Sequence, residues 1–217
     1  MNEFVRTLGT LASGIGTTFL LTFAAFALGS VIAVPIVLGR VSSVPPLRVA
    51  ATAYIELSRG VPPIVWLFVL YFGLTQFDVR LGSMTAAILG LGIISGGYLA
   101  EIYRSGLRAV PPGQTEAADA LGISRVATYT KVIIPQAVVT GLPLAATYAV
   151  GLLKDSAVAS VIGVQEITAF AVGLAKREVE GLTIFAAAGL VYLVISIPLS
   201  VLSRAAGSYL AVRLEGR

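Results

Sequence analysis

The chain has 217 residues, of which 57% are hydrophobic and 12% charged, with a mean hydropathy of +0.92. A soluble domain carries about a quarter charged residues, so this composition excludes an ordinary soluble enzyme and points to an integral membrane protein. With no cysteine and no histidine, disulfide frameworks, thiolate metal sites, histidine bases and a Ser-His intramembrane protease are excluded as well.

The N-terminal stretch "MNEFVRTLGTLASG" lacks a charged n-region with a small-residue cleavage site behind a short apolar run, and reads as mature sequence. A spanning helix needs about 20 apolar residues, and uncharged runs between ionisable residues predict five of them. The first covers about 14–38, between Arg6 and Arg40. The second covers about 61–77; Gly60 breaks what precedes it, and Pro62 and Pro63 suit a helix's first turn. The third, about 82–102, carries the Gly92-x-x-x-Gly96 pair with Gly90 and Gly97 beside it, a pattern for close helix approach within one subunit or at a dimer seam. The fourth covers about 134–153 and the fifth about 182–203. Between them, 156–178 is expected to be a helical segment lying at one surface, because Glu166 would be costly unpaired at mid-bilayer.

Lys and Arg in the loops set the orientation. With five spans one side holds Arg6, Arg80, Lys154, Lys176 and Arg177. The other holds Arg40, Arg48, Arg59, Arg104, Arg108, Arg125, Lys131, Arg204, Arg213 and Arg217, and is therefore cytoplasmic. The expected fold is one all-α transmembrane domain over 1–217, its N-terminus outside, its C-terminus inside, and a cytoplasmic helical loop between spans three and four.

That loop, about 111–135, is polar in a chain that otherwise is not. "AVPPGQ" halts the third span. Thr115 is expected to cap a short helix with Glu116 and Asp119 in its first turns, and Gly122 to end it in a left-handed conformation. Ser124 then caps a second helix that ends against Pro135. Two turns of helix fall below the roughly 12 residues stable alone in water, so the element must be docked, and Ala117, Ala118 and Ala120 permit a close approach. The receiver is either the chain's own face or another molecule.

"EAADALG", nine residues, then "VIIP" resembles the EAA loop of bacterial ABC importer permeases. Glu116, Ala117, Ala118, Gly122 and Pro135 match its pattern, while Val132 and Ile134 stand where Ile and Leu are usual. "YIELSRGVPPIVWLFVLYFGL" and "GLLKDSAVASVIGVQEI", with "GGYLAEIYRSGLRAVPPGQ" leading into the loop, are similar to the polar amino acid branch of that family. The branch more often has Thr-Pro after Arg-Gly, and Lys-Asp-Thr-Ser-Leu in place of "KDSAV"; the likeness covers about residues 10–205. The resemblance implies a coupling helix, with Glu116, Ala117, Ala118, Asp119, Ala120 and Gly122 seated in a dimeric cytoplasmic ATPase. It also implies a second permease subunit (identical or sister), an extracytoplasmic binding protein that hands over an amino acid, and a place in the bacterial cytoplasmic membrane. The sequence has no Gly-x-x-x-x-Gly-Lys-Ser/Thr phosphate loop. The chain is thus expected to be non-catalytic and to bind no metal, cofactor or nucleic acid, ATP and Mg belonging to the ATPase.

Candidate pathway residues are polar groups at the ends of spans. Lys154 and Asp155, followed by Ser156, could meet the two ends of a zwitterion, or form an interfacial or structural pair. Glu101 has Arg104 at i+3, an ion pair by default and a gate or substrate contact otherwise; Tyr98, one turn earlier, lines the path or packs. Arg59 and Gly60 anchor the second span, and Trp66 is an interface or packing residue. The rival functions are a permease for another small solute, an exporter, an intramembrane enzyme, and a stand-alone carrier or channel. The last would need ionisable residues at mid-span, and the span cores are uncharged.

Overall fold

Helices that are apolar nearly all round have no polar face to turn to water, so the places where their side chains are small decide how they pack. The computed structural model describes residues 2–177 and 181–215. Met1, residues 178–180 and residues 216–217 lie outside the described residues, and with them Arg217 of the charge count and the last residue of the expected external segment. Every described element is helical: α1 (Asn2–Ala12), α2 (Ile15–Val41), α3 (Pro45–Gly60), α4 (Pro63–Tyr71), α5 (Ser83–Ala109), α6 (Gly113–Ala120), α7 (Arg125–Thr128), α8 (Ile134–Asp155), α9 (Ile167–Ala175) and α10 (Gly181–Glu215). Short 3₁₀ segments follow α4 (Gly73–Phe77) and α8 (Ser156–Ile162), and a π turn (Tyr129–Ile133) joins α7 to α8.

The central seam is α2 against α5. A methyl group on Gly29 would lie 2.3 Å from the Ser95 Cβ, and one on Gly92 would lie 2.6 Å from a Leu28 methyl. On Gly96 it would meet Ile32 and the Tyr54 hydroxyl at 2.7 and 2.6 Å. The Gly92/Gly96 pair is therefore covered by this chain's own α2 and α3, which decides between the two readings of the pattern in favour of packing within the subunit.

The same contacts fix direction. Leu28 meets Gly92, Ile32 meets Gly96, and Arg40 comes within 3.8 Å of Glu101, so the register rises together and α2 and α5 run parallel. Two spanning helices that are parallel require the chain between them to cross back. Among the described residues four helices are long and apolar enough to cross a membrane, and α3 with α4 and its 3₁₀ turn, bent by 99°, pass the same test only as a pair and are the candidate for a fifth.

The expected second span is thus corrected in form. Over 61–77 there is no straight helix but the nine-residue α4, about 13 Å long, and a 3₁₀ turn, and the helix before the bend is α3. The bend falls at Val61–Pro63, where the prolines have no N–H to leave unpaired. The Val61 N–H donates to the Leu57 carbonyl at 3.3 Å and that of Val65 to Pro62 at 3.0 Å. α3 itself lies against the seam through Ala51, Ile55 and Ser58, all buried.

α8 returns antiparallel along α5: a methyl group on Gly106 would lie 2.5 Å from the Ala137 carbonyl oxygen. A second core joins α1, α9 and α10 through Leu11, Ile167, Ala171, Ile184 and Ala187. Within the expected external segment, Glu166 is fully buried inside the protein. It caps α9, accepting from the Thr168 and Ala169 amides at 2.9 and 2.7 Å and from the Tyr192 hydroxyl. Burial pushes its carboxyl above the ordinary carboxylate range, with these three donors pulling the other way. A paired carboxyl of this kind removes the cost that argued for a surface position.

Candidate functional site

α6 starts earlier than the polar residues alone suggest. Pro112, with φ −55° and ψ −33°, already has helical geometry, so the helix opens at Gly113 with Pro112 as its cap residue and Thr115 inside the first turn. This corrects Thr115 as the cap. Glu116 stands in that first turn, where the helix dipole favours it. At the other end Gly122 has φ +68°, its N–H donates to Asp119 at 3.0 Å and that of Ile123 to Ala118 at 3.0 Å. This is a Schellman closure, and it satisfies carbonyls that a two-turn helix would otherwise leave open.

Ser124 caps α7 as expected, its Oγ accepting from the Ala127 amide at 3.4 Å. Pro135, however, does not stop the helix. The Ile134 N–H reaches back five residues to the Tyr129 carbonyl, and this wider π turn makes room for the proline ring, so α7 runs on into α8. A side-chain bond from Gln136 to Gln114, 3.3 Å, ties α6 to the start of α8.

Of the hairpin residues, Ala118 is buried, while Glu116, Ala117, Asp119, Ala120 and Gly122 are exposed. Leu121 is 77% exposed, Val126 75% and Tyr129 54%. A connector laid on its own chain would bury the first two of these apolar side chains, and both are left open.

Further along α5, at the same end of the bundle, the Arg104 Nε donates to both carboxylate oxygens of Glu101 at 3.0 Å, with a further bond from Nη2. Arg40 from α2 adds its charge at 3.8 Å. The default i,i+3 pair thus exists and is extended to a second helix. Arg59 from α3 takes another partner: its guanidinium carbon lies 4.9 Å above the Tyr98 ring. That ring stacks on Tyr148 of α8 at 5.1 Å and 21°, and the Tyr148 hydroxyl donates to Ser95 Oγ at 3.0 Å. Tyr148 and Ser95 escaped the sequence reading, although hydroxyls inside apolar spans were a signal for them.

Lys154 and Asp155 sit apart from this cluster, exposed at the far end of α8. Ser156 beside them is fully buried and donates its hydroxyl to the Leu153 carbonyl at 2.7 Å. Lys154 borders a groove of about 510 Å³ between α8 and α10, with Tyr192, Ser196 and Ser200 on the facing wall. The candidate residues therefore divide between the two ends of the bundle and form no single site.

Over residues 25–214 the sequence matches the family described as binding-protein-dependent transport system inner membrane component. It is 38% identical over 179 residues to the probable amino-acid ABC transporter permease protein YckA of Bacillus subtilis (strain 168), covering 82% of this chain and 79% of that one. To the octopine transport system permease protein OccM of Rhizobium radiobacter it is 36% identical over 200 residues, covering 88% and 82%. The fold is similar to that of a chain in the crystal structure of an amino acid ABC transporter with histidines, with a TM-score of 0.89, 34% identity, and coverage of 95% of this chain and 97% of that one.

Proposed function

The chain belongs to the family of inner membrane components of binding-protein-dependent transport systems, and from that premise we propose that it is the permease subunit of an ATP-driven importer for a polar amino acid. The observation that carries the reading is the hairpin: a locally closed, outward-facing element with Leu121, Val126 and Tyr129 exposed, continuous with a spanning helix. Such a surface needs a receiver. Glu116, Ala117, Asp119, Ala120 and Gly122 meet it directly, and Ala118, being buried, holds the hairpin's shape instead. The receiver is a separate ATPase dimer, which binds ATP and Mg and performs the hydrolysis.

The parallel arrangement of α2 and α5 supports five crossings, and with five crossings the Lys and Arg count favours a cytoplasmic hairpin even when Arg48 and Arg59, which lie on α3, are left out of it. The N-terminus and the Lys154–Asp155 pair then face outward, where an extracytoplasmic binding protein delivers its cargo. A neighbouring cation and anion at the mouth of the span suit the carboxylate and ammonium of an amino acid, and Ser156 positions the turn that follows. One such bundle has few faces with which to enclose a path, so a second permease subunit, identical or sister, completes it in the bacterial inner membrane.

The test is a gentle-detergent purification of the tagged chain, parent and Glu116→Lys, with everything that co-elutes identified. An ATPase with the parent and not with the variant establishes the docking role. No ATPase with the parent, under conditions that keep membrane complexes intact, overturns the importer reading in favour of a stand-alone carrier.

A further inference from the structure

The hairpin can act on the rest of the bundle only through what it is rigidly joined to, and that is α8. Where α8 crosses α5 near the hairpin, backbone meets backbone: the Ala137 carbonyl oxygen lies where a methyl group on Gly106 would be, 2.5 Å away. With no side chains interposed, this crossing is a pivot. Eleven residues on, about 16 Å along the helix, α8 grips α5 by side chains, the Tyr148 ring on Tyr98 and its hydroxyl on Ser95. A tilt about the pivot displaces Tyr148 sideways and carries Tyr98 with it.

α3 is held differently. It rides over Gly96 and Gly97, where Tyr54 and Ser58 approach a bare backbone, with Ile55 buried against Leu99 and Ala100 and the Tyr54 hydroxyl bonded to the Ile93 carbonyl at 2.8 Å. At its last turn, next to the 99° bend, Arg59 sits over Tyr98. The Arg59 charge acts on Glu101 too, but the hydrogen bonds of that carboxylate go to Arg104 and its other ion pair is with Arg40. A guanidinium that is not hydrogen-bonded to a carboxylate gains from a ring face.

We propose that the Arg59–Tyr98–Tyr148 stack is a relay that makes α3, and with it the bent crossing, follow α8 when the hairpin moves, Tyr98 being the positioning residue at its centre. The proposal rests on the reading of the hairpin as the ATPase dock. It differs from plain packing in one respect: cutting the stack leaves α8 moving while α3 stands still.

The chain has no cysteine, so pairs of introduced cysteines report distances without background. In the purified complex, spin labels at Leu20→Cys on α2 and Leu144→Cys on α8 follow α8, and Leu20→Cys with Glu56→Cys on α3 follow α3. Both distances are measured without nucleotide and after trapping with ATP and vanadate. In the parent both change, each by about 1–2 Å or more. In Tyr98→Leu and Arg59→Gln the α8 distance still changes and the α3 distance does not, whereas Tyr98→Phe and Arg59→Lys, which keep ring and cation, restore it. An α3 shift in Tyr98→Leu equal to the parent's overturns the relay, as does a parent complex whose α8 stays still. A parent that brings down no ATPase overturns the docking reading, and the relay falls with it, an outcome told apart from the others at the purification step.

Discussion

The α2–α5 seam and the α6–α7 hairpin reach order by opposite means. In the seam, glycines bring two backbones together and long-range contacts do the rest: 61% of the apolar stretch of α5 is buried inside this one chain. In the hairpin, Ala118 is the one buried residue of α6, and order comes from local devices, a proline start, a Schellman closure and a serine cap. The seam is complete as it stands. The hairpin is shaped but unaccompanied, and its apolar side chains point away from the chain that shaped them. A region that holds its form without neighbours while showing an apolar face is made for another molecule.

Substitutions at the two places should therefore fail in different ways. The largest effect is expected from Gly106→Leu, where the intruding side chain meets a carbonyl that cannot yield. A loss of about 3 kcal/mol should appear as a collapse of the monodisperse fraction after extraction and a large fall in Tm, with the hairpin lost along with the fold. Glu116→Lys should leave Tm within the small range of an exposed substitution and reduce ATPase recovery at least tenfold, about 1.4 kcal/mol of docking; a fall in Tm to match would mean that the hairpin is structural. Gly122→Ala places a Cβ at φ +68° and should cost about 1 kcal/mol, seen as faster amide exchange at Gly122 and Ile123 with the seam amides unchanged. Ser124→Ala removes the bond to the Ala127 amide and should cost about 0.5 kcal/mol, confined to exchange in α7.

What could be read from the residues follows the range of the interaction that decides it. The spans were legible because hydropathy is a property of a window, and Gly122, Ser124 and the Glu101–Arg104 pair because their partners lie within a turn or so. α3 is harder to read, since Arg48, Glu56 and Arg59 make 45–60 too charged for an uncharged run; yet Ala51, Ile55 and Ser58 fall at helical spacing and are the residues found buried. Pro135 reads as a stop because the proline rule assumes an α turn before it, and a π turn evades that assumption. The need of Glu166 for a partner is legible, but the partner is not. Its partner Tyr192 is 26 residues away on another helix, and only the fold makes them neighbours. Ser156 shows the same limit at close quarters, for its type suggested a contact while its burial turns the hydroxyl to its own backbone.

The closure of the hairpin also bears on the thermodynamics of whatever it meets. With α6 ended by its own amides, α7 fused to α8, and Gln114 bonded to Gln136, little chain remains to be ordered at the moment of contact. Binding then loses rigid-body freedom and a few side-chain rotamers, without the 2–5 kcal/mol or so that a segment folding on its target gives up. Encounters should be productive on first contact, with association rates insensitive to helix-promoting cosolvents and a heat-capacity change no larger than rigid apolar surfaces such as Leu121, Val126 and Tyr129 and their receiver account for.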